Sequence, residues 1–201
     1  MSDGVAEQQA DRIIHGTKCI HSDGRASPTD IAAPPEQLSV CCVQGLKENH
    51  DAGGIKAQGF ACLAIANSHF DPTNVAVLRE TSDEIRALGL PVAFPDFTRR
   101  ALAQTLTEEF MSGACHAGQF ETSLVMADRP DLVNDAARSA LEANPASLTS
   151  AFARGAKTFA EAGGPDAYFG APGRATAAEG AQTFQIMAAA LVSAICEVIE
   201  M

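Results

Sequence analysis

Positive charge is scarce in this sequence: 14 lysines and arginines face 25 aspartates and glutamates, a formal net charge of −11. A surface so poor in cations has little to neutralise phosphates, which excludes nucleic acid as the expected partner and disfavours an anionic membrane surface. Long apolar runs are also lacking; none reads as a membrane span. The N-terminus, MSDGVAEQQADR, has neither the positive charge nor the apolar core of a secretory signal. The six cysteines, at 19, 41, 42, 62, 115 and 196, form no CxxC, and the adjacent pair Cys41–Cys42 makes a poor disulfide. They read as reduced thiols of a cytoplasmic protein. Tryptophan is absent, aromatics are few, and no internal repeat is visible. What is present is globular: 46% apolar and 19% charged residues over 201 positions, enough for one domain with a sizeable core.

Order in the chain rises from residue 60 onward. Before that, 1–11 reads as disordered, 14–35 as loop, and 37–46 as a short helix or strand broken by the glycines at 53 and 54. Phe60–Ala66 (FACLAIA) is apolar on both faces, as expected of a strand in a parallel sheet covered by helices. Pro72 then suits a helix's first turn, and Val75, Leu78, Ile85 and Leu88 recur at helical spacing up to Gly89. Leu90–Phe94 is a second apolar run, so strand, helix and strand make a βαβ unit. Residues 98–111, 121–127, 130–141 and 147–162 are predicted helices, and 163–173 a Gly/Pro loop holding the one tyrosine, Tyr168. The last helix carries a capping box in Thr176 and Glu179, then one apolar stripe of Phe184, Met187, Ala188, Leu191, Ile195, Val198 and Ile199.

Two turns carry the side chains suited to chemistry. His69 and Asp71 follow the predicted strand at 60–66, and the carboxyl ends of parallel strands are where sites are built. His116 and Glu121 lie in the small-residue stretch Ser112–Ser123, SGACHAGQFETS. Imidazole and carboxylate together suit a borderline divalent metal such as Zn2+ or Mn2+. The same set suits a general acid and base without a metal. The plainer alternatives are a local hydrogen-bonded pair at 69 and 71, and a helix cap at 121 favoured by the helix dipole. Cys115 reads as a small buried residue, since nothing around it activates a thiolate.

These same residues give the chain its resemblance to the creatininase (creatinine amidohydrolase) family. CHAGQFETSLVMADRPDLV resembles that family's HAGxxETS block and the helix after it. ANSHFDP is similar to its histidine-and-carboxylate block after a strand, and GGPDAYFGAPGRATAAEG to its late Gly-Pro, Tyr and Glu-Gly block. The three occur in the family's order and cover about residues 57–201, leaving 1–35 as a divergent or poorly ordered N-terminal segment and 36–201 as the creatininase-like domain. The resemblance implies a three-layer α/β/α sandwich around a mostly parallel sheet, assembled into homo-oligomers, often hexamers. It implies metal-dependent hydrolysis of a C–N bond in a small cyclic amide or formamide-like substrate, or in a peptide-like one. Carried over, His69 and Glu121 would be metal ligands, Asp71 would hold a position linked to metal or substrate, and His116 would be the proton donor.

The family's first block, which supplies a Glu, a His and a bridging Asp, has one counterpart here, GTKCIHSDGRASPTD at 16–30. His21 and Asp30 have the right separation, and Thr29 precedes the aspartate as it should. Cys19 stands where the glutamate is expected, and the His-Leu-Pro core is missing. With His21 and Asp30 as ligands, two ions are expected. Without them the alternative is a catalytically impaired relative acting as a binding or oligomer subunit.

Overall fold

A computed structural model describes residues 17–20, 40–43 and 52–200. Their chain divides into two compact units, one running to Thr98 and resuming at Ala189, the other spanning Arg99–Ala188.

The first unit is an α/β arrangement around a four-stranded sheet: β1 (Thr17–Ile20), β2 (Val40–Val43), β3 (Cys62–Ile65) and β4 (Val92–Ala93), parallel throughout and in sequence order. β1 falls inside the stretch expected to be loop, whereas within 37–46 the described residues Val40–Val43 are strand. The expected strand at 60–66 is β3, with all four residues buried. Side chains alternate across a strand, so Leu63 and Ile65 join Val92, Leu78 and Ile85 in one apolar cluster, and Cys62 and Ala64 join Ala93 and Ile195 in another. A continuous apolar run is what such double burial requires.

Between β3 and β4 lies α2 (Pro72–Ala87), preceded by a short α1 (Ala52–Ala57). Pro72 sits at the first helical position, as expected, and Val75, Leu78 and Ile85 are buried. The fourth member of the expected stripe, Leu88, is the C-cap and is 59% exposed. Arg79 pairs with Asp96 at 2.6 Å and donates to the Thr98 hydroxyl, fixing the chain after β4.

In the second unit the helices are shorter than expected. The single helix predicted over 98–111 is two, α3 (Arg100–Ala103) and α4 (Glu108–Ser112). The Thr107 hydroxyl accepts from the Phe110 N–H and starts a new helix there, an option open to any Thr in a helical run. α5 (Gln119–Asp128) lies close to its predicted place. The stretch 130–141 is a 3-10 turn at Pro130–Leu132 and then α6 (Asp135–Ser139), and 147–162 is helical only in α7 (Leu148–Ala153).

The final helix, α8 (Ala177–Ile199), belongs to the second unit up to Ala188 and to the first beyond it. Its C-terminal half follows the expected stripe: Ile195 is buried, and Leu191, Val198 and Ile199 pack on the same cluster as the β3 residues Cys62 and Ala64. Its N-terminal half does not. Phe184 is 45% exposed, while Gly180 and Thr183 are buried instead. There α8 lies so close to α5 that a Cβ at 180 would overlap the Ser123 carbonyl. The capping box forms by half: the Thr176 hydroxyl accepts from the Glu179 N–H at 3.1 Å, but the Thr176 N–H goes to the Ser123 hydroxyl. The Glu179 carboxylate turns to Gln119 and Ser123.

By length and composition α8 is long and apolar enough to cross a membrane, contrary to the expectation that no run reaches that length. The sequence hides this because Gln182, Thr183 and Gln185 interrupt its apolar residues while alanines sustain the average. One such helix is weak ground for a membrane assignment, since a helix packed on a sheet passes the same test.

Candidate active site

Each unit holds one of the two imidazole–carboxylate pairs. In the first unit, β3 runs out at Ile65 and the chain turns through 66–71 into α2. The turn is fixed by two asparagines. Asn67 accepts from the His69 N–H through Oδ1, and both Asn67 and Asn74 donate to the His69 carbonyl, at 2.9 and 2.8 Å. Asp71 is the N-cap of α2, its Oδ1 accepting from Thr73 N–H at 2.9 Å and Asn74 N–H at 3.1 Å. These bonds hold the backbone of residue 69 and leave its exposed imidazole without a partner among the described residues. Asp71 Oδ2 is likewise left over.

In the second unit, α4 ends at Gly113 in the left-handed conformation (φ 74°) and the loop 114–118 leads into α5. Ala117 is also left-handed (φ 50°), an unusual state for a residue with a side chain. Glu121 Oε2 accepts its N–H at 2.8 Å. The same oxygen lies 3.8 Å from His116 Nδ1, so the structure does bring these two residues together. Glu121 thus bonds to the backbone just ahead of α5 rather than to one of the helix's own open N–H groups, and this occupies one of its two carboxylate oxygens. The His116 ring rests on Phe159, with centroids 4.6 Å apart. Its carbonyl accepts from Phe169 N–H at 2.7 Å, which joins this loop to the Gly/Pro stretch. Asn144 holds that stretch from the other side, exchanging backbone hydrogen bonds with Gly170 and donating to the Tyr168 carbonyl.

Cys115 is no nucleophile here. Burial, with the charges of Glu121 and Glu109 nearby, pushes its thiol up to about 12, so it stays protonated at neutral pH.

Sequence reasoning missed the supporting residues. Asn67 and Asn74 order the His69 turn, Phe159 backs His116, and Glu109 bonds to the backbone on both sides of the His116 loop. The asparagine flanking His69 was a visible signal. Glu109 gave none, since two glutamates opening a helix read as dipole complements.

His69 and Asp71 present uncommitted donors of the kind a divalent ion takes, and Glu121 has Oε1 to spare. No group of three or more His, Cys, Asp or Glu side chains is gathered for a metal among the described residues. His21 and Asp30, the remaining expected ligands, lie outside the described residues.

The first unit is thus an α/β arrangement with a histidine-bearing turn at the carboxyl end of β3, and the second unit carries its histidine in an ordered small-residue loop. The match is specific: the chain belongs to the Creatininase (creatinine amidohydrolase) family, over residues 52–195. No curated protein and no solved structure gives a significant match.

Proposed function

We propose that this protein is a metal-dependent amidohydrolase that cleaves a C–N bond of a small cyclic amide or formamide-like substrate. The fold behind it is the family's three-layer α/β/α sandwich, supported by apolar clusters on both faces of β3. The observation that carries the reading is the His116–Glu121 pair, 3.8 Å apart, in a loop whose backbone is held at 116, 117 and 120.

His69, Glu121, His21 and Asp30 are the proposed ligands of divalent metal, Zn2+ or Mn2+, and Asp71 keeps a catalytic role linked to metal or substrate. Such an ion supplies an activated water and offsets negative charge on the carbonyl oxygen. The chain's own residues do the rest. Asn67 and Asn74 fix the backbone of the turn that carries the His69 imidazole. Glu121 faces His116 Nδ1, which leaves Nε2 as the atom that hands a proton to the departing nitrogen. Phe159 covers one face of that ring and restricts its motion. Around this chemistry the reading places a cytoplasmic homo-oligomer.

Metal content of the purified protein tests the proposal. Near two moles of Zn or Mn per chain supports it, and His69→Ala or Glu121→Gln should abolish turnover and lower metal content while the protein stays folded. Unchanged turnover in either variant refutes the assignment. Near-zero metal favours the impaired relative.

A further inference from the structure

We propose that Glu109 is the positioning residue of the His116 loop, a single carboxylate that sets where the histidine sits without touching it. The inference rests on the reading of His116 as proton donor. Glu109 lies in α4, half-buried, and uses both oxygens. Oε1 accepts the Phe120 N–H at 2.9 Å, and Oε2 accepts the Ala171 N–H at 2.6 Å.

The first bond answers a defect in α5. A helix's opening N–H groups need acceptors, commonly the N-cap side chain. The N-cap here is Gly118, which has none, and the donor at the second helical position is satisfied from another helix. A negative charge at that end is also favoured by the helix dipole. The second bond reaches 62 residues along the chain to the Gly-Ala-Pro turn. Glycine is needed at both contacts. A Cβ at 118 would overlap the Phe169 carbonyl and meet Glu109 Oε1 at 2.5 Å, and one at 170, where φ is 92°, would overlap Oε2 and the Ala114 carbonyl. Two glycines in separate sequence blocks thus leave room both for the Glu109 carboxylate and for the backbone beside it.

His116 sits inside this frame. Phe120 is four residues after it, and Phe169, two before Ala171, donates to its carbonyl. Removing the carboxylate frees the start of α5, just after the loop, together with the 169–171 segment that bonds to the His116 carbonyl, and the imidazole loses its register against Phe159 and Glu121. Misplacement by about 1 Å can cost on the order of 100-fold in rate.

The test compares Glu109→Gln and the milder Glu109→Asp with wild type, by amide hydrogen exchange, NMR of the His116 ring, and steady-state kinetics on small amides. In Glu109→Gln, which keeps one acceptor oxygen, at least one of the Phe120 and Ala171 amides should exchange at least about tenfold faster while residues 189–199 of α8 keep their protection. The His116 ring signals should shift and lose their contact with Phe159. With activity present, kcat should fall about 10- to 100-fold with KM within about twofold. Unmoved ring signals, or a raised KM at unchanged kcat, would overturn the proposal. Should Glu109→Gln fail to fold, wild type decides: slow exchange at both amides supports the clamp and fast exchange overturns it. A wild type inactive on every amide, with ring signals that still move in the variant, would refute the hydrolase reading and leave the clamp standing.

Discussion

Replacing Gly180 by alanine sets two effects of opposite sign against each other. Gly180 lies in the first turn of α8, where alanine is ordinarily the better residue by about 1 kcal/mol. Against that stands the approach of α5. The added Cβ would overlap the Ser123 carbonyl and come within 2.9 Å of the Ala127 Cβ. Neither obstacle is the tip of a flexible side chain; one is helix backbone. The helices must part by about 1 Å, and overpacking of this kind costs about 1–3 kcal/mol. Parting them also strains the bonds that Ser123 mediates, from Thr176 N–H at 3.0 Å and to Glu179 at 3.2 Å, each worth about 1 kcal/mol. The structure therefore predicts a net loss of about 1–4 kcal/mol. Urea unfolding followed by circular dichroism reads it as a lower midpoint at unchanged slope. Gly54→Ala, in α1 with open space around it, is the control and should gain about 0.5–1 kcal/mol. A Gly180→Ala protein as stable as wild type, or more so, would mean that propensity alone decides and that the close contact does not exist in solution.

Asp71→Ala should destabilise by about 1 kcal/mol through loss of the α2 cap, whereas Asp71→Asn, which can still accept from Thr73 and Asn74, should unfold near the wild-type midpoint. If Asp71 also binds metal or substrate, both variants lose activity; an active Asp71→Asn would make it a cap and nothing more. Cys115, held near 12 against an ordinary 9.0, should carry about a thousandfold less thiolate at pH 8 than an unperturbed thiol, and should resist iodoacetamide until the protein is unfolded. Its linked stability runs the same way: present in full below pH 9, it declines as pH rises toward 12, and Cys115→Ala should flatten that decline. Rapid labelling of Cys115 in folded protein at pH 8 would contradict the burial seen here.

The stretch from Phe60 to Ala93 was legible because several local signals agreed there. An unbroken apolar run, a proline at a helix start and a glycine at its end each point to one structure, and the structure has it. Elsewhere one signal stood alone. Helical spacing over 98–111 ignored Thr107, whose hydroxyl competes for backbone N–H groups and splits the helix. The apolar stripe of α8 held where its own large side chains pack on the sheet residues Cys62, Ala64 and Ala93, and failed by one residue where it meets α5, since hydropathy ranks Phe184 above glycine and threonine. Backbone contact demands the small residues. The site shows the same division. Histidines 69 and 116 were visible as residue types beside turns, while Glu109 acts on partners 11 and 62 positions away, a relation only the fold creates.

The plain and the functional readings of the two candidate carboxylates are not rivals. Asp71 gives both of its N-cap bonds to Oδ1, and Glu121 holds the strained Ala117 through Oε2. Each therefore fixes the turn that carries a histidine, two residues away in one case and five in the other, while its second oxygen has no partner among the described residues. A carboxylate anchored by backbone N–H groups gives up less rotamer freedom on meeting an ion or a substrate than one waving in solvent. On the proposed function these backbone bonds aim the remaining oxygen. A substitution that keeps them and removes the charge must then separate ligand binding from stability at both positions.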